Sequence, residues 1–206
     1  MNKKSLQELL DESAAQHSHL CPRQVIGVRM GILAGQLLGL DLPQTKKRML
    51  VIVESDGCFA DGVATATGAT VGHRTMRVED YGKIAAVFVD TQTGRSIRIA
   101  PALDVRQRAY AYAPEGETRH YFAQLHGYQV MPLSEMFFHQ EVTLQRPIEE
   151  IVSRPGVRVD CDVCGEEIIN EREVQHEGLT LCLACAGQAY YQPRSIEVQF
   201  AQQVPA

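Results

Sequence analysis

Apolar residues Leu6, Leu9, Leu10 and Ala14 recur at spacings of three and four, so they share one face of a helix predicted over residues 3–15. A second helix is predicted over residues 22–38. Its first position is Pro22, where the missing N–H leaves no intrahelical bond unmade, and Cys21 falls at its N-cap. Residues 49–53 form a short β-branched run read as a buried strand, which feeds the turn-like Glu54-Ser55-Asp56-Gly57. The small residues from Cys58 to Thr67 suit a helix packed closely on a sheet, although Gly62 weakens helix propensity there. Residues 75–78, 83–89 and 96–99 read as strands, and Thr91-Gln92-Thr93-Gly94 is a hairpin turn between the last two. Residues 102–112 and 117–127 read as helices and 137–144 as a further strand. Early helices, clustered strands and later helices define an α+β class, with helices packed on a mainly antiparallel sheet.

Three glycines, Gly27, Gly31 and Gly35, recur every fourth residue along the second helix. They leave a smooth stripe suited to close packing against the sheet or against a second copy of the chain. Between Gln145 and Val159 the pattern turns charged and weakly periodic, with Pro147, Pro155 and Gly156, which reads as a linker. The expected organisation is a core domain over residues 1–150, a small domain over 156–192 and a tail over 193–206.

Composition narrows the class. Of 206 residues, 45% are apolar and 22% charged, which sets the chain apart from disordered, collagen-like and coiled-coil proteins. A net charge of −5 supplies no bulk attraction to nucleic acid. The longest apolar stretch, residues 30–40, falls well short of the roughly 20 residues a bilayer requires, so no membrane span is expected. Glu8, Asp11 and Glu12 stand where a secretory leader needs apolar residues, so a cytoplasmic location is expected. In that reducing compartment the six cysteines read as metal ligands or reactive thiols rather than disulfides.

Four of them form Cys161-x2-Cys164 and Cys182-x2-Cys185, separated by 17 residues. Each pair presents two thiolates on one knuckle, and two knuckles at this spacing close a tetrahedral site, so a zinc ribbon with structural zinc is expected. The same ligands would also suit a rubredoxin-type iron site or a redox pair. His176 lies inside the ribbon and is read as a hairpin surface residue, because four thiolates already complete the shell.

Chemistry also gathers near the amino terminus. In His17-Ser18-His19-Leu20-Cys21-Pro22, alternate residues of an extended segment point the same way, so His17, His19 and Cys21 share a side. A thiol at a helix start meets unpaired N–H groups, which favour thiolate. Cys58 occupies a similar position after a strand, with Asp56 and Asp61 nearby. If the two helix starts meet, Cys21 and Cys58 share an ion with His17 or His19; the alternative is a small core cysteine and two histidines lining a helix end.

The stretch HSHLCPRQVIGVRMGILA resembles the opening motif of the FmdE family of formylmethanofuran dehydrogenase proteins, H-G-H-x-C-P-G followed by a long helix. A second block, from Glu54 to Phe88, resembles the family's second motif; Asp56, Cys58 and Asp61 match its start. Thr67, Gly68 and Thr70 match T-G-x-T, and Asp80, Gly82 and Lys83 match a D-x-G-K segment. The chain departs from the pattern at Ser18 and Arg23, where glycine is usual, and at Ala69, where a third core cysteine is usual.

The resemblance implies an α+β core, a homodimer and a core metal site in which His17, His19, Cys21 and Cys58 are candidate ligands. Zinc is the expected second transition metal, with nickel, copper and iron open. It also implies an accessory role beside a molybdenum or tungsten oxidoreductase, in metal or cofactor handling or docking. Two alternatives stay open: an enzyme using Cys21, Cys58 or Lys83 at an open metal or thiol site, and a ribbon that docks on RNA polymerase or nucleic acid.

Overall fold

Ser5 opens α1 (Leu6–Ala15) with a capping box: its hydroxyl accepts the Glu8 N–H at 3.2 Å, and the Glu8 carboxylate accepts the Ser5 N–H at 2.7 Å. The same device, built from other residues, starts α2 (Pro22–Leu38). Cys21 Sγ accepts the Gln24 N–H at 3.5 Å, and Gln24 Oε1 accepts the Cys21 N–H at 2.8 Å. After β1 (Met49–Val53) the chain turns through Gly57, whose φ of 74° strains any residue with a Cβ, into α3 (Cys58–Thr67). The computed structural model describes residues 4–193, so the tail expected over residues 193–206 lies beyond the described residues from 194 onward.

The sheet has the order β2-β1-β3-β4-β5, adding β2 (Met76–Val78), β3 (Ala86–Asp90), β4 (Ser96–Pro101) and β5 (Phe137–Glu141). Only the β1–β2 pair is parallel; the other three are antiparallel. The register sets Val51 opposite Phe88 and Phe88 opposite Ile97, and with Val53 and Ile99 these side chains fill a core shared with the helices. Mixed helices on an antiparallel-rich sheet agree with the expected class.

Several bounds differ from the sequence-based expectation for local reasons. The strand expected from residue 83 begins at Ala86, because the N–H groups of Tyr81 and Lys83 both go to the Glu54 carbonyl, at 3.0 and 3.1 Å, in a turn. In place of one helix over 102–112 stand α4 (Val105–Arg108) and a 3-10 turn (Ala109–Tyr112). Then α5 (His120–Val130) stops before Pro132, where the residue ahead of a proline avoids helical geometry, and α6 (Leu133–Met136) leads to β5.

Of the glycine stripe, Gly27 and Gly31 pack on α3 rather than on the sheet, and Gly35 packs against Leu40 and Leu42. A Cβ added at Gly27 would lie 2.3 Å from the Phe59 carbonyl oxygen, one at Gly31 would lie 2.6 Å from Ala66 Cβ, and one at Gly62 would lie 2.4 Å from the Gln24 carbonyl oxygen. Residue numbers on both helices rise together along this contact, so α2 and α3 run parallel with their backbones touching. Their first residues therefore emerge at the same end.

The chain divides into two units, Met1–Ile148 and Glu149–Ala206. Across the division lies α7 (Ile148–Val152). The second unit holds two antiparallel hairpins, β6 (Arg158–Asp160) with β7 (Glu167–Ile169), and β8 (Val174–His176) with β9 (Leu179–Leu181). Its buried apolar cluster is small, formed by Cys161, Ile168 and Leu181. No helix among the described residues is long and apolar enough to cross a membrane.

Candidate metal centres

In the second unit the sulfurs of Cys161, Cys164, Cys182 and Cys185 all lie within 4.8 Å of one another. The Cys164–Cys182 sulfur separation is 3.9 Å. Four sulfurs about 2.3 Å from a tetrahedral ion would stand about 3.8 Å apart, so the donors fit zinc in number, type and spacing. Backbone amides point at them: the Cys182 N–H donates to Cys161 Sγ at 3.3 Å and the Cys185 N–H to Cys182 Sγ at 3.4 Å. Amides of Cys164 and Cys182 pull the Cys161 thiol down to about 6. The crowding of thiols has the opposite effect on Cys185, pushed up to about 12, foremost by Cys182. Four thiolates this close need a cation. His176 lies exposed in β8, outside the four-sulfur set.

In the first unit the parallel contact of α2 and α3 brings Cys21 and Cys58 together. Cys21 is buried and Cys58 half-buried. The Cys58 thiol is raised from its ordinary value, first by burial and then by the Cys21 thiol beside it. For Cys58 this reverses the expected lowering at a helix start: a second sulfur and burial outweigh the helix end. The phenol of Tyr121, on α5, stands at the same place; burial raises it, and the Cys21 and Cys58 thiols add to the effect. Its hydroxyl donates to the Leu20 carbonyl at 3.4 Å. Gln24, fully buried, fixes the floor, since its Nε2 donates to the Ser13 carbonyl at 2.7 Å while its Oε1 holds Cys21. Ser55, three residues before Cys58, is buried with its hydroxyl unpartnered among the described residues.

The histidines part company. His17 Nε2 lies 2.6 Å from Asp61 Oδ2, tying the end of α1 to the first turn of α3. His19 is exposed. Lys83 is exposed as well, engaged through its backbone with Glu54. Among the described residues, the one group of three or more His, Cys, Asp or Glu donors gathered tightly enough for an ion is that of the ribbon. The core pair thus offers two sulfurs in an open arrangement. A carboxylate on His17 Nε2 has the form that outer carboxylates take on metal-binding histidines, leaving Nδ1 as the ring's free donor.

Tyr121, Gln24 and Ser55 carry no signal as site residues in the sequence pattern used above. Gln24 is in principle legible as the third residue of a capping box, once a cysteine is allowed at the N-cap alongside serine and threonine. Tyr121 depends on how α5 meets the segment before α2, 101 residues from Leu20 in the chain, which no local pattern encodes.

The fold and the four-cysteine cluster define a protein with an α+β core followed by a small ribbon able to bind a metal. The family profile described as "FmdE, Molybdenum formylmethanofuran dehydrogenase operon" matches residues 16–138, and the chain belongs to that family. It is 29% identical over 204 residues to a probable S-adenosyl-L-methionine-binding protein of Archaeoglobus fulgidus, a match covering 90% of this chain and 54% of the relative. The chain therefore spans about half the length of that curated relative. In fold it is similar to a tungsten formylmethanofuran dehydrogenase FmdE-like protein from Syntrophus aciditrophicus, solved by crystallography at 1.90 Å. That likeness has a TM-score of 0.59 at 22% identity and covers 93% of this chain and 100% of the other.

Proposed function

We propose that this chain is a metal-handling accessory protein that carries a soft transition-metal ion on Cys21 and Cys58 of its core. The observation behind this reading is the meeting of those two thiols at the parallel starts of α2 and α3. Two thiolates hold a soft ion, and because they do not complete a tetrahedron the remaining positions stay available to a donor or acceptor of the ion. A histidine of the preceding segment, His17 or His19, is the proposed source of a third bond. An open shell is what transfer needs, whereas the ribbon's four thiolates form a closed shell whose work is structural.

Membership of the FmdE family supports a role beside a molybdenum or tungsten oxidoreductase, to which the core would deliver metal or on which it would dock. Zinc is the proposed ion of the ribbon and of the core, and a homodimer the proposed assembly. The enzymatic alternative uses the same core thiols, with an open position on the ion for water or a soft substrate.

Elemental analysis of the purified full chain tests the proposal. Two metal equivalents are expected, with one lost in Cys58→Ala and the other in Cys161→Ala. A single equivalent that survives Cys58→Ala overturns it.

A further inference from the structure

A cleft of about 390 Å³ opens in the first unit beside the start of α2. Its floor is apolar, made by Ile26, Ile84, Val105 and the ring of Tyr128. Two guanidiniums, Arg23 on α2 and Arg106 on α4, stand at its rim. All of these belong to one unit. The size lies within the range of small-molecule sites, about 300–1,000 Å³.

What distinguishes this cleft is unmet hydrogen-bonding capacity. Most arginines of the first unit are spoken for: Arg48 by Asp90, Arg95 by Glu141, Arg98 by Glu54, Arg108 by Asp104 and Arg119 by Glu117. Neither Arg23 nor Arg106 has a carboxylate or a hydrogen bond among the described residues, and no acidic residue lines the cleft. Tyr128 is 1% exposed, and its hydroxyl also has no hydrogen-bond partner among the described residues. Its oxygen is not among the fully sealed, unpartnered side-chain atoms, so it keeps a donor to give where the residue lines the cleft. Arg106 faces that phenol: burial raises Tyr128 to about 12, and the Arg106 charge pulls against the rise. The amides of Gln107 and Gln124, likewise on the cleft wall, have their hydrogen bonds to give.

We infer that this cleft binds a small organic anion, a carboxylate or phosphate carried on a flat apolar body. The anionic group is held between Arg23 and Arg106 with the Tyr128 hydroxyl as a further donor, and the body lies on Ile26, Ile84 and Val105. Guanidiniums suit this task because their planar N–H pairs match both oxyanions. The inference stands on different side chains from the thiol pair and does not depend on metal there.

Isothermal titration calorimetry of the full chain with phenyl phosphate is the test, with inorganic phosphate and benzyl alcohol as probes lacking one half of the chemistry. One site per chain is expected for phenyl phosphate, with both comparators at least about tenfold weaker. Arg23→Gln and Arg106→Gln, exposed substitutions that leave the core intact, are each expected to weaken phenyl phosphate at least about fivefold. Arg119→Gln, away from the cleft, is expected to bind as wild type, and so is Cys58→Ala. Absence of saturable binding up to about 10 mM, or wild-type affinity in both cleft variants, overturns the inference. Loss of binding in Cys58→Ala also overturns it, by moving the site to the sulfurs.

Discussion

Gly27 of α2 and Phe59 of α3 are locked together: a single methyl carbon on the glycine would lie 2.3 Å from the Phe59 carbonyl oxygen. Because that atom is backbone, no rotamer change relieves the clash, and the helices must part. Gly27→Ala is therefore expected to destabilise the core by about 1–3 kcal/mol, as overpacking does. It should also spread the two helix starts and weaken metal binding by the Cys21–Cys58 pair. Urea denaturation and metal titration of the same variant check both effects, and a variant as stable as wild type would contradict the interlock.

Gln24 links three features at once, capping α2, holding Cys21 and bonding Ser13 at the end of α1. Gln24→Leu keeps the volume and strands the buried Cys21 amide, while the Ser13 carbonyl loses one of its two donors and keeps the Gln16 N–H. A loss of about 1–3 kcal/mol is expected for leaving such a group unpaired, read from the shift in denaturation midpoint. Faster alkylation of Cys21 should accompany it, since the first turn of α2 loosens.

Asp90 ties the β3–β4 turn to the segment before β1: Arg48 donates to both its oxygens, at 2.9 and 2.8 Å. The pairing holds its carboxyl at about 2, below the ordinary 3.8, with Arg48 as the main cause. A folded value below the unfolded one contributes stability that is present above about pH 4 and is lost as pH falls toward 2. Arg48→Met is expected to lower the denaturation midpoint at neutral pH and to flatten the acid limb of a stability-against-pH curve, the two proteins converging near pH 2.

The ribbon unit buries little besides Cys161, Ile168 and Leu181, so its fold leans on metal. A strong chelator is expected to open residues 156–192 to protease while the Met1–Ile148 unit keeps its helical circular dichroism. Metal affinity should fall as pH is lowered, because each thiolate regains a proton that the ion displaced. Equal protease resistance with and without chelator would contradict a structural ion.

Much of this is legible in the chain before its fold is known, and the reasons are local. Pro22 announces a helix start by its ring chemistry, and the two CxxC knuckles announce a four-sulfur site by spacing alone; the first helix, expected from residue 3, starts only after the Ser5 cap. The stripe of Gly27 and Gly31 is visible as a close-packing surface, but its partner is not, since Gly62 and Ala66 become complementary only once α3 lies parallel to α2. Likewise His17 and His19 look equivalent in an alternating segment; Ser18, in a left-handed turn at φ 62°, breaks the alternation. His17 then meets Asp61 and His19 faces solvent.

The central claim is that Cys21 and Cys58 act on one ion. Alkylation rates of each cysteine, followed separately by peptide mass spectrometry in the full chain with its ribbon loaded, test it most directly. Adding one further equivalent of zinc is expected to slow both cysteines together, by about tenfold or more at saturation. Protection of one without the other, or of neither, would contradict the account.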